Sequence, residues 1–209
     1  MLKLHHLEQS RSQRVLWLLE ELHVPYELVI YQRTAERRAP PELGRIHPLG
    51  KSPVLVDGDL VLAESAVILR YLNDRYGEGR FAPAGATDAF WLHDEWLDYV
   101  ESSAVLPVMI GLLGRMTGGA GPKLDDFAQA EAGKALDYIA DGLGAKPFLM
   151  GDAVMLADMQ MTYYLGMAKM IGLLDDRPTL LAYLDRLQQQ PGFQRAIAKG
   201  GPMMAQADG

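Results

Sequence analysis

The feature that most constrains this fold is the order of short apolar segments in the first third of the chain. Residues 2–6 have the character of a short strand, and residues 15–22 repeat apolar side chains at helical spacing and stop before Pro25. Residues 26–31 alternate as a second strand does. A strand, a helix and a second strand in this order predict a βαβ unit with a right-handed crossover.

A hairpin signal follows this unit. A loop over 33–50, rich in Arg, Pro and Gly, leads to two short apolar runs, 54–56 and 60–62, which Asp57-Gly58-Asp59 separates. Asp-Gly between two apolar runs is a strong short-range hairpin signal. Residues 64–76 then show helical spacing. The resulting order, β-α-β-loop-β-β-α, predicts a thioredoxin-like sheet.

Beyond residue 77 the patterns change from mixed to purely helical. Residues 78–86 are rich in Gly, Ala and Pro and suit a linker, and Pro107 is expected to kink a long helix over 87–116. Further helices are predicted over 125–139, 157–171, 179–190 and 193–199. We therefore expect a thioredoxin-like domain over 1–77, a linker over 78–86 and an all-helical domain over 87–209.

Charge and cysteine content exclude several classes of function. The chain carries a net charge of −7, the first 80 residues are neutral, and nothing offers the basic face that nucleic acid requires. The chain has no cysteine, so it forms no disulfide and no thiolate metal site, and has no cysteine nucleophile. The longest apolar stretch, 105–113, is too short to span a bilayer, and no secretory signal is visible, so we expect a cytoplasmic protein without membrane association.

The histidines do not suggest a metal site. His5 and His6 are neighbours on a predicted strand, so their side chains point to opposite faces and cannot form a simple chelate. His23, His47 and His93 lack metal-binding spacing. We expect structural or surface roles for all five and no bound metal.

Ser10 is the first candidate functional residue, because it lies between the first strand and the first helix. A helix N-terminus offers free backbone N–H groups and a partial positive charge, so a hydroxyl held there can donate to a bound thiolate. Serine is also a favoured helix cap, so a purely structural role stays open. Ser12, in the same helix start, is a rival for the role of Ser10.

Three further positions suggest a peptide ligand. Ser52-Pro53 opens the third strand, where a cis proline would expose the Ser52 backbone to an extended peptide, although a trans proline also fits there. Glu64 and Ser65 begin a helix and could hold an amine and a carboxylate. Lys51 could meet a second carboxylate. Together with Ser10 as the thiol partner, these positions describe a γ-glutamyl tripeptide, although each alone also has a structural explanation.

The sequence resembles the serine-type cytosolic glutathione transferases of bacteria and fungi. The resemblance is dense in residues 10–22 (SRSQRVLWLLEEL), 39–55 (APPELGRIHPLGKSPVL) and 62–72 (LAESAVILRYL), and looser in the helical part. In that family, a serine four residues before an arginine activates glutathione, and here the pair is Ser10 and Arg14. The family's cis-proline corresponds to Pro53 and its γ-glutamyl contacts to Glu64 and Ser65.

The resemblance implies an activity and its partners. It implies a detoxifying transferase that joins the glutathione thiolate to a small hydrophobic electrophile, and a homodimer paired through the third and fourth helices. Glutathione peroxidase activity is plausible, since the thiolate is supplied by the co-substrate. The implied electrophile pocket takes residues from the long helix, namely Tyr99, Met109, Leu113 and Met116.

Two alternatives to a transferase stay open. One is a glutathione-dependent disulfide reductase or isomerase, and the other is a noncatalytic protein that keeps the fold for binding or regulation.

The sequence also departs from the family at Met155, where Ser or Thr is usual in a helix cap. Because Met155 lacks a hydroxyl, we expect a weaker cap there, with Asp158 left to interact with the helix dipole.

Overall fold

The computed structural model describes residues 1–205, and the chain forms two compact units. Of the residues described, the first unit contains 1–82 and 188–205, and the second contains 83–187. The change from one unit to the other falls inside the predicted linker 78–86. Residues 188–205, which lie in the predicted helical domain 87–209, group with the first unit.

The first unit is built on a four-stranded mixed sheet in the order β2-β1-β3-β4. Its strands are β1 (Leu2–Leu7), β2 (Glu27–Tyr31), β3 (Val54–Asp57) and β4 (Leu60–Ala63). β2 is parallel to β1, whereas β3 is antiparallel to both β1 and β4. The βαβ start, the hairpin at Asp57-Gly58-Asp59 and the thioredoxin-like sheet are thus confirmed.

Helices α1 (Ser12–Leu22) and α3 (Ser65–Tyr76) pack on this sheet, and α9 (Pro191–Gly200) packs against α1. α2 (Glu42–Ile46) is a short helix in the long loop. α1 is buried along almost its whole length and packs against both α3 and α9. Trp17 of α1 meets Phe193 of α9 edge to face at 5.4 Å, and Lys199 Nζ lies 2.6 Å from Glu20 Oε1. These contacts explain why the last helix belongs to the first unit.

The second unit is entirely helical in the residues described. It contains α4 (Asp88–Tyr99), α5 (Val105–Thr117), α6 (Pro122–Leu143), α7 (Leu156–Met170) and most of α8 (Pro178–Gln188). Residues 156–168 of α7 are all buried, and α7 packs against α4 and α5. An apolar helix buried on all sides is the expected centre of such a unit. The predicted fold class, a thioredoxin-like α/β region and an all-α region, is confirmed.

Pro107 lies within a continuous helix, three residues after a π-helical segment. The helix runs without interruption from Asp88 to Thr117, and residues Val100–Ala104 form a π-helical segment between α4 and α5. Proline has no N–H and crowds the carbonyl four residues earlier, which here is Ser103. A wider turn just before Pro107 accommodates the proline within one continuous helix.

This continuous helix is longer than the apolar stretch 105–113 considered from the sequence. Among residues 1–205, Asp88–Thr117 is the one helix whose length and mean hydropathy, 1.3 over its most apolar window, would allow it to cross a membrane. A third of that window is buried, and α5 packs against α6 and α7. The same composition is found in core helices, so these properties alone do not indicate a membrane segment.

Candidate active site

The sheet topology brings the candidate residues of the first unit to one end of the sheet. β1 ends at Leu7, just before Ser10. β3 is antiparallel to β1, so Ser52 and Pro53 precede β3 at this same end. β4 is antiparallel to β3, so it finishes there, and Glu64 follows directly. The structure thus places Ser10, Ser52-Pro53 and Glu64-Ser65 around the carboxyl end of β1.

Ser10 caps the first helix and still has a proton to donate. Its Oγ accepts a hydrogen bond from the Ser12 backbone N–H at 3.2 Å, and its carbonyl accepts one from the Gln13 N–H at 3.1 Å. A hydroxyl group has one proton and two lone pairs, so accepting from Ser12 leaves the Ser10 proton available. The cap and the proposed donor role are therefore compatible. Ser10 is 6% exposed.

Ser12 is fully buried and turns away from solvent. Its Oγ lies 2.8 Å from Ser10 Oγ, 2.8 Å from His6 Nδ1 and 3.2 Å from the Leu7 carbonyl oxygen. These contacts occupy its hydroxyl inside the first unit. Of the two rival serines, Ser10 is the one that keeps some exposure.

The Ser52–Pro53 bond is cis, which settles the isomer that the sequence left open. The Ser52 side chain also has a role that sequence reasoning missed. Its Oγ accepts from the Leu7 N–H at 3.0 Å and donates to the His5 carbonyl at 2.9 Å. Serine at this position therefore fastens the segment before β3 to the end of β1, next to Ser10. Lys51, directly before it, is exposed.

Glu64 and Ser65 form the start of α3 in an unusual backbone conformation. Glu64 has φ 70° and ψ 116°, and its side chain is exposed and makes no capping hydrogen bond. A non-glycine residue at positive φ costs about 1–3 kcal/mol, and such residues cluster at ligand sites. Ser65 is buried at the first position of α3, where free N–H groups favour an anion.

Arg14 adds a buried positive charge beside this helix start. Its Nη1 donates to Ser65 Oγ at 3.3 Å, and the side chain is buried. A cation there reinforces the preference of the α3 N-terminus for a carboxylate. The sequence signal for Arg14 was its spacing, four residues after Ser10 and directly before the apolar residues 15–19 of α1.

Comparisons with known proteins identify the family. The family model described as glutathione S-transferase, N-terminal domain, matches residues 1–74. Glutathione S-transferase 3 of Schizosaccharomyces pombe is 32% identical over 208 residues, covering 91% of this chain and 78% of that protein. The chain belongs to the glutathione S-transferase family.

Solved structures support the same family assignment. A crystal structure of a glutathione S-transferase from Actinobacillus pleuropneumoniae is 34% identical, with a TM-score of 0.87, and covers 100% of this chain and 98% of that one. A glutathione transferase from Methylococcus capsulatus is 27% identical, with a TM-score of 0.80, and covers 95% of this chain and 98% of that one. Both similarities extend over both units.

The residues expected to form the transferase's electrophile pocket lie on two consecutive helices of the second unit, Tyr99 at the end of α4 and the other three on α5. The Tyr99 ring lies 5.7 Å from that of Trp96 and 5.1 Å from that of Tyr138, and its burial raises the pKa of Tyr99 above its ordinary value. Leu113 and Met116 are 52% and 59% exposed on α5. Met109 is half-buried on the same helix.

Two cavities can be described within single units. One, of about 380 Å³, lies beside the segment before Ser10 and has polar walls that include Gln9, Arg33 and Arg37. Another, of about 340 Å³, lies between α5, α6 and the end of α7. Neither contains the predicted electrophile residues. Within residues 1–205, no group of three or more His, Asp or Glu side chains is placed to hold a metal ion.

Proposed function

We propose that this transferase binds glutathione at the carboxyl end of β1 and that the Ser10 hydroxyl donates a hydrogen bond to the glutathione thiolate. The observation that carries this proposal is the geometry of Ser10: its Oγ accepts from the Ser12 N–H and lies 2.8 Å from Ser12 Oγ, so its proton can point to a ligand when the Ser12 hydroxyl donates to Ser10. The thiolate sulfur then attacks an electrophilic carbon. A C–S bond forms, and the electron pair of the broken bond leaves with the departing group.

The lowering of the thiol pKa that this mechanism requires is modest in free energy. A thiol with pKa about 8.5 is roughly 3% ionised at pH 7. Lowering that pKa by about 2 units makes most of it thiolate, for about 2.7 kcal/mol of differential stabilisation. One hydrogen bond to a charged group contributes roughly 1.5–3 kcal/mol, so the Ser10 hydroxyl, helped by the start of α1, is sufficient.

The remaining groups suit the rest of glutathione. The γ-glutamyl carboxylate fits the N–H groups and hydroxyl at Ser65, where Arg14 adds positive charge, and the γ-glutamyl amine fits the exposed carboxylate of Glu64. The Ser52 backbone can pair with the peptide, as in strand addition. Lys51 is available for the glycyl carboxylate. The neutral charge of residues 1–80 also suits an anionic ligand better than the acidic remainder does.

For the second substrate we propose a small hydrophobic electrophile. Its support is the apolar side chains that α5 exposes, Leu113 and Met116, with Met109 on the same helix and Tyr99 on α4. Organic peroxides are a second substrate class that the same thiolate could reduce. A cytoplasmic location would supply reduced glutathione, because the cytosolic pool is kept reduced.

A homodimer is the proposed assembly. Trp91 and Leu92 of α4 are 61% and 54% exposed, and Val67 of α3 is also exposed. Large apolar side chains at a surface often mark an interface with another chain. The helices concerned are the two that the family resemblance assigns to pairing.

The test is a pH titration of bound glutathione, followed by the ultraviolet absorbance of the thiolate. We expect the bound thiol to titrate about 2 pH units below the free thiol in the wild type and close to the free thiol in Ser10→Ala. Ser102→Ala, which changes an exposed serine of the second unit, is the control and should leave the titration unchanged. Glutathione that binds with an unshifted thiol in the wild type would favour the noncatalytic alternative.

A further inference from the structure

A path of hydrogen bonds leads from Ser10 to a buried histidine. Ser10 Oγ lies 2.8 Å from Ser12 Oγ, which lies 2.8 Å from His6 Nδ1. On the other side of the ring, His6 Nε2 lies 2.9 Å from the carbonyl oxygen of Gly200. His6 and Ser12 are buried, and Ser10 is the most exposed of the three side chains. The path therefore runs from the proposed thiol site into the interior of the first unit.

The Gly200 carbonyl fixes the proton positions along this path. A carbonyl only accepts, so Nε2 of His6 carries a proton, and Nδ1 of the neutral ring is an acceptor. The Ser12 hydroxyl donates to Nδ1, because donating to the Leu7 carbonyl instead would leave Nδ1 buried without a donor. Ser12 Oγ then accepts a hydrogen bond from the Ser10 hydroxyl. With His6 neutral, both hydroxyl groups point away from the ligand.

Glycine at position 200 is necessary for this contact. A Cβ there would lie 2.9 Å from His6 Nε2 and 2.5 Å from Leu16 Cδ2. Such distances are too short for any side chain, so the His6 ring can reach the backbone of α9 only because residue 200 has none. The approach of His6 to α9 therefore depends on this one residue type.

Uncharged groups surround the His6 ring. It faces Ser12 of α1 and Gly200 of α9, and its register partner on β2 is Ile30. The charged side chains closest in sequence on the two helices are directed elsewhere: Arg14 Nη1 donates to Ser65, and Lys199 Nζ contacts Glu20. Glutathione binding would therefore act on His6 by placing a negative charge, the thiolate, at the Ser10 end of the path.

We propose that His6 and Ser12 are positioning residues that take up the thiol proton of bound glutathione through Ser10. The proposal rests on the proposed function of Ser10. The S–H bond breaks, leaving its electron pair on sulfur, and its proton moves to Ser10 Oγ. The Ser10 proton moves to Ser12 Oγ, and the Ser12 proton moves to His6 Nδ1. Each hydroxyl loses one proton and gains another, so the products are a thiolate and an imidazolium.

This transfer reverses the direction of every hydrogen bond in the path. Nδ1–H of His6 then donates to Ser12, Ser12 donates to Ser10, and Ser10 donates to the thiolate. Burial lowers the pKa of His6 below its ordinary value of 6.5, while the hydrogen bond to Gly200 raises it. The thiolate adds a further influence that favours the imidazolium. His6 therefore holds the proton when the thiolate is present, and can return it once the thiolate has reacted.

The experiment counts protons when glutathione binds. Calorimetric titrations at pH 7 in two buffers with different ionisation enthalpies give the protons released, and ultraviolet absorbance gives the thiolate formed. If His6 takes up the proton, the wild type forms thiolate and releases far less than one proton for each thiolate. Release of one full proton per thiolate in the wild type overturns the relay while leaving the proposed function intact.

Variants separate the relay from a structural role. His6→Asn keeps a hydrogen-bonding side chain near Ser12 but cannot take up a proton. In this variant, we expect the bound thiol to titrate about one pH unit higher, with one proton released per thiolate and about threefold less conjugation at pH 7, because the thiolate fraction falls by about that factor. Conjugation well above the thiol pKa should be unchanged. A His6→Asn protein with the wild-type titration and proton count contradicts the proposal.

The control for this substitution is His5→Asn. His5 is on the same strand, but its Nδ1 contacts the Tyr31 hydroxyl at 2.8 Å, outside the path, so wild-type behaviour is expected. If His6→Asn does not fold, Ser12→Ala interrupts the path while keeping His6 on Gly200, and the same changes are expected. Absence of any bound thiolate in the wild type would refute the proposed function and the relay together.

Discussion

Asp158 offers the sharpest test of what holds the second unit together. It is fully buried in the first turn of α7. Its Oδ1 accepts from the Leu149 N–H at 3.0 Å and from the Tyr183 hydroxyl, and its Oδ2 accepts from the Met155 N–H at 2.8 Å. One carboxylate thus joins the loop before α7, the start of α7 and α8. Met155 lacks the usual capping hydroxyl, so the capping hydrogen bond is the one that the Asp158 side chain accepts from the Met155 N–H.

The expected cost of Asp158→Ala follows from these three bonds. The substitution leaves two backbone N–H groups and a phenol hydroxyl without their acceptor. Each unsatisfied buried group costs about 1–3 kcal/mol, and breaking a buried charged network costs roughly 3–5 kcal/mol in total. For a chain of this size, about 2–4 °C is lost per kcal/mol, so the melting temperature should fall by roughly 6–20 °C.

Two milder variants give a graded series. Asp158→Asn keeps one carbonyl oxygen for the Leu149 N–H and Tyr183, but turns an amide donor toward the Met155 N–H. Tyr183→Phe removes one donor and leaves the carboxylate with two. Both should cost less than Asp158→Ala, about 1–3 kcal/mol each.

Urea denaturation followed by circular dichroism measures the free energy of unfolding across the series. Asp152→Ala is the matched control, since it removes an exposed carboxylate from the loop before α7, and it should change the stability by less than about 0.5 kcal/mol. The reasoning is refuted if Asp158→Ala and Asp152→Ala differ by less than about 1 kcal/mol. Such a result would mean that the three donors find other partners at little cost.

Two further predictions concern the pH dependence of stability and the packing of α6. Burial favours a higher pKa for Glu20, but hydrogen bonds from Lys199 and Tyr26 lower it below the ordinary 4.5, so its stabilisation is present above that value and lost as pH falls through the folded pKa. Glu20→Gln should therefore weaken the loss of unfolding free energy on acidification, and an unchanged pH profile would contradict this. A Cβ at Gly142 would lie 2.3 Å from the Trp96 ring, so Gly142→Ala should cost about 1–3 kcal/mol in denaturant titrations. Gly133→Ala is the control on the same helix, because a Cβ there would meet only Arg177 Nη2, at an ordinary contact distance of 3.9 Å. It should gain up to about 1 kcal/mol from helix propensity, and a destabilisation equal to that of Gly142→Ala would refute the packing argument.

Local patterns predicted the secondary structure of the first unit well, because each signal acts over a few residues. Asp57-Gly58 produced the expected hairpin, with Asp57 opposite Leu60. Alternation and helical spacing located β1, α1 and α3. The family resemblance, rather than any single pattern, indicated which of these residues would hold glutathione.

Other features depend on neighbours that are distant in sequence. Pro107 marked a local disturbance of the long helix, but no short pattern in the sequence predicted the π-helical segment Val100–Ala104. The last helix was assigned to the helical region because helical spacing does not say which surface a helix covers. Its contacts with α1, through Phe193 and Lys199, decide its place.

The sequence by itself determined the order of strands and helices, the thioredoxin-like sheet and the serine at the start of α1. Those properties depend on periodicity and turn chemistry within short windows. Only the tertiary structure decided that Arg14 donates to Ser65, that the Ser12 hydroxyl makes its hydrogen bonds inside the protein, and that His6 connects Ser12 to Gly200, which is 194 residues away in the chain. Hydrogen bonds form between side chains that the fold brings within about 3 Å, and no local pattern encodes that proximity.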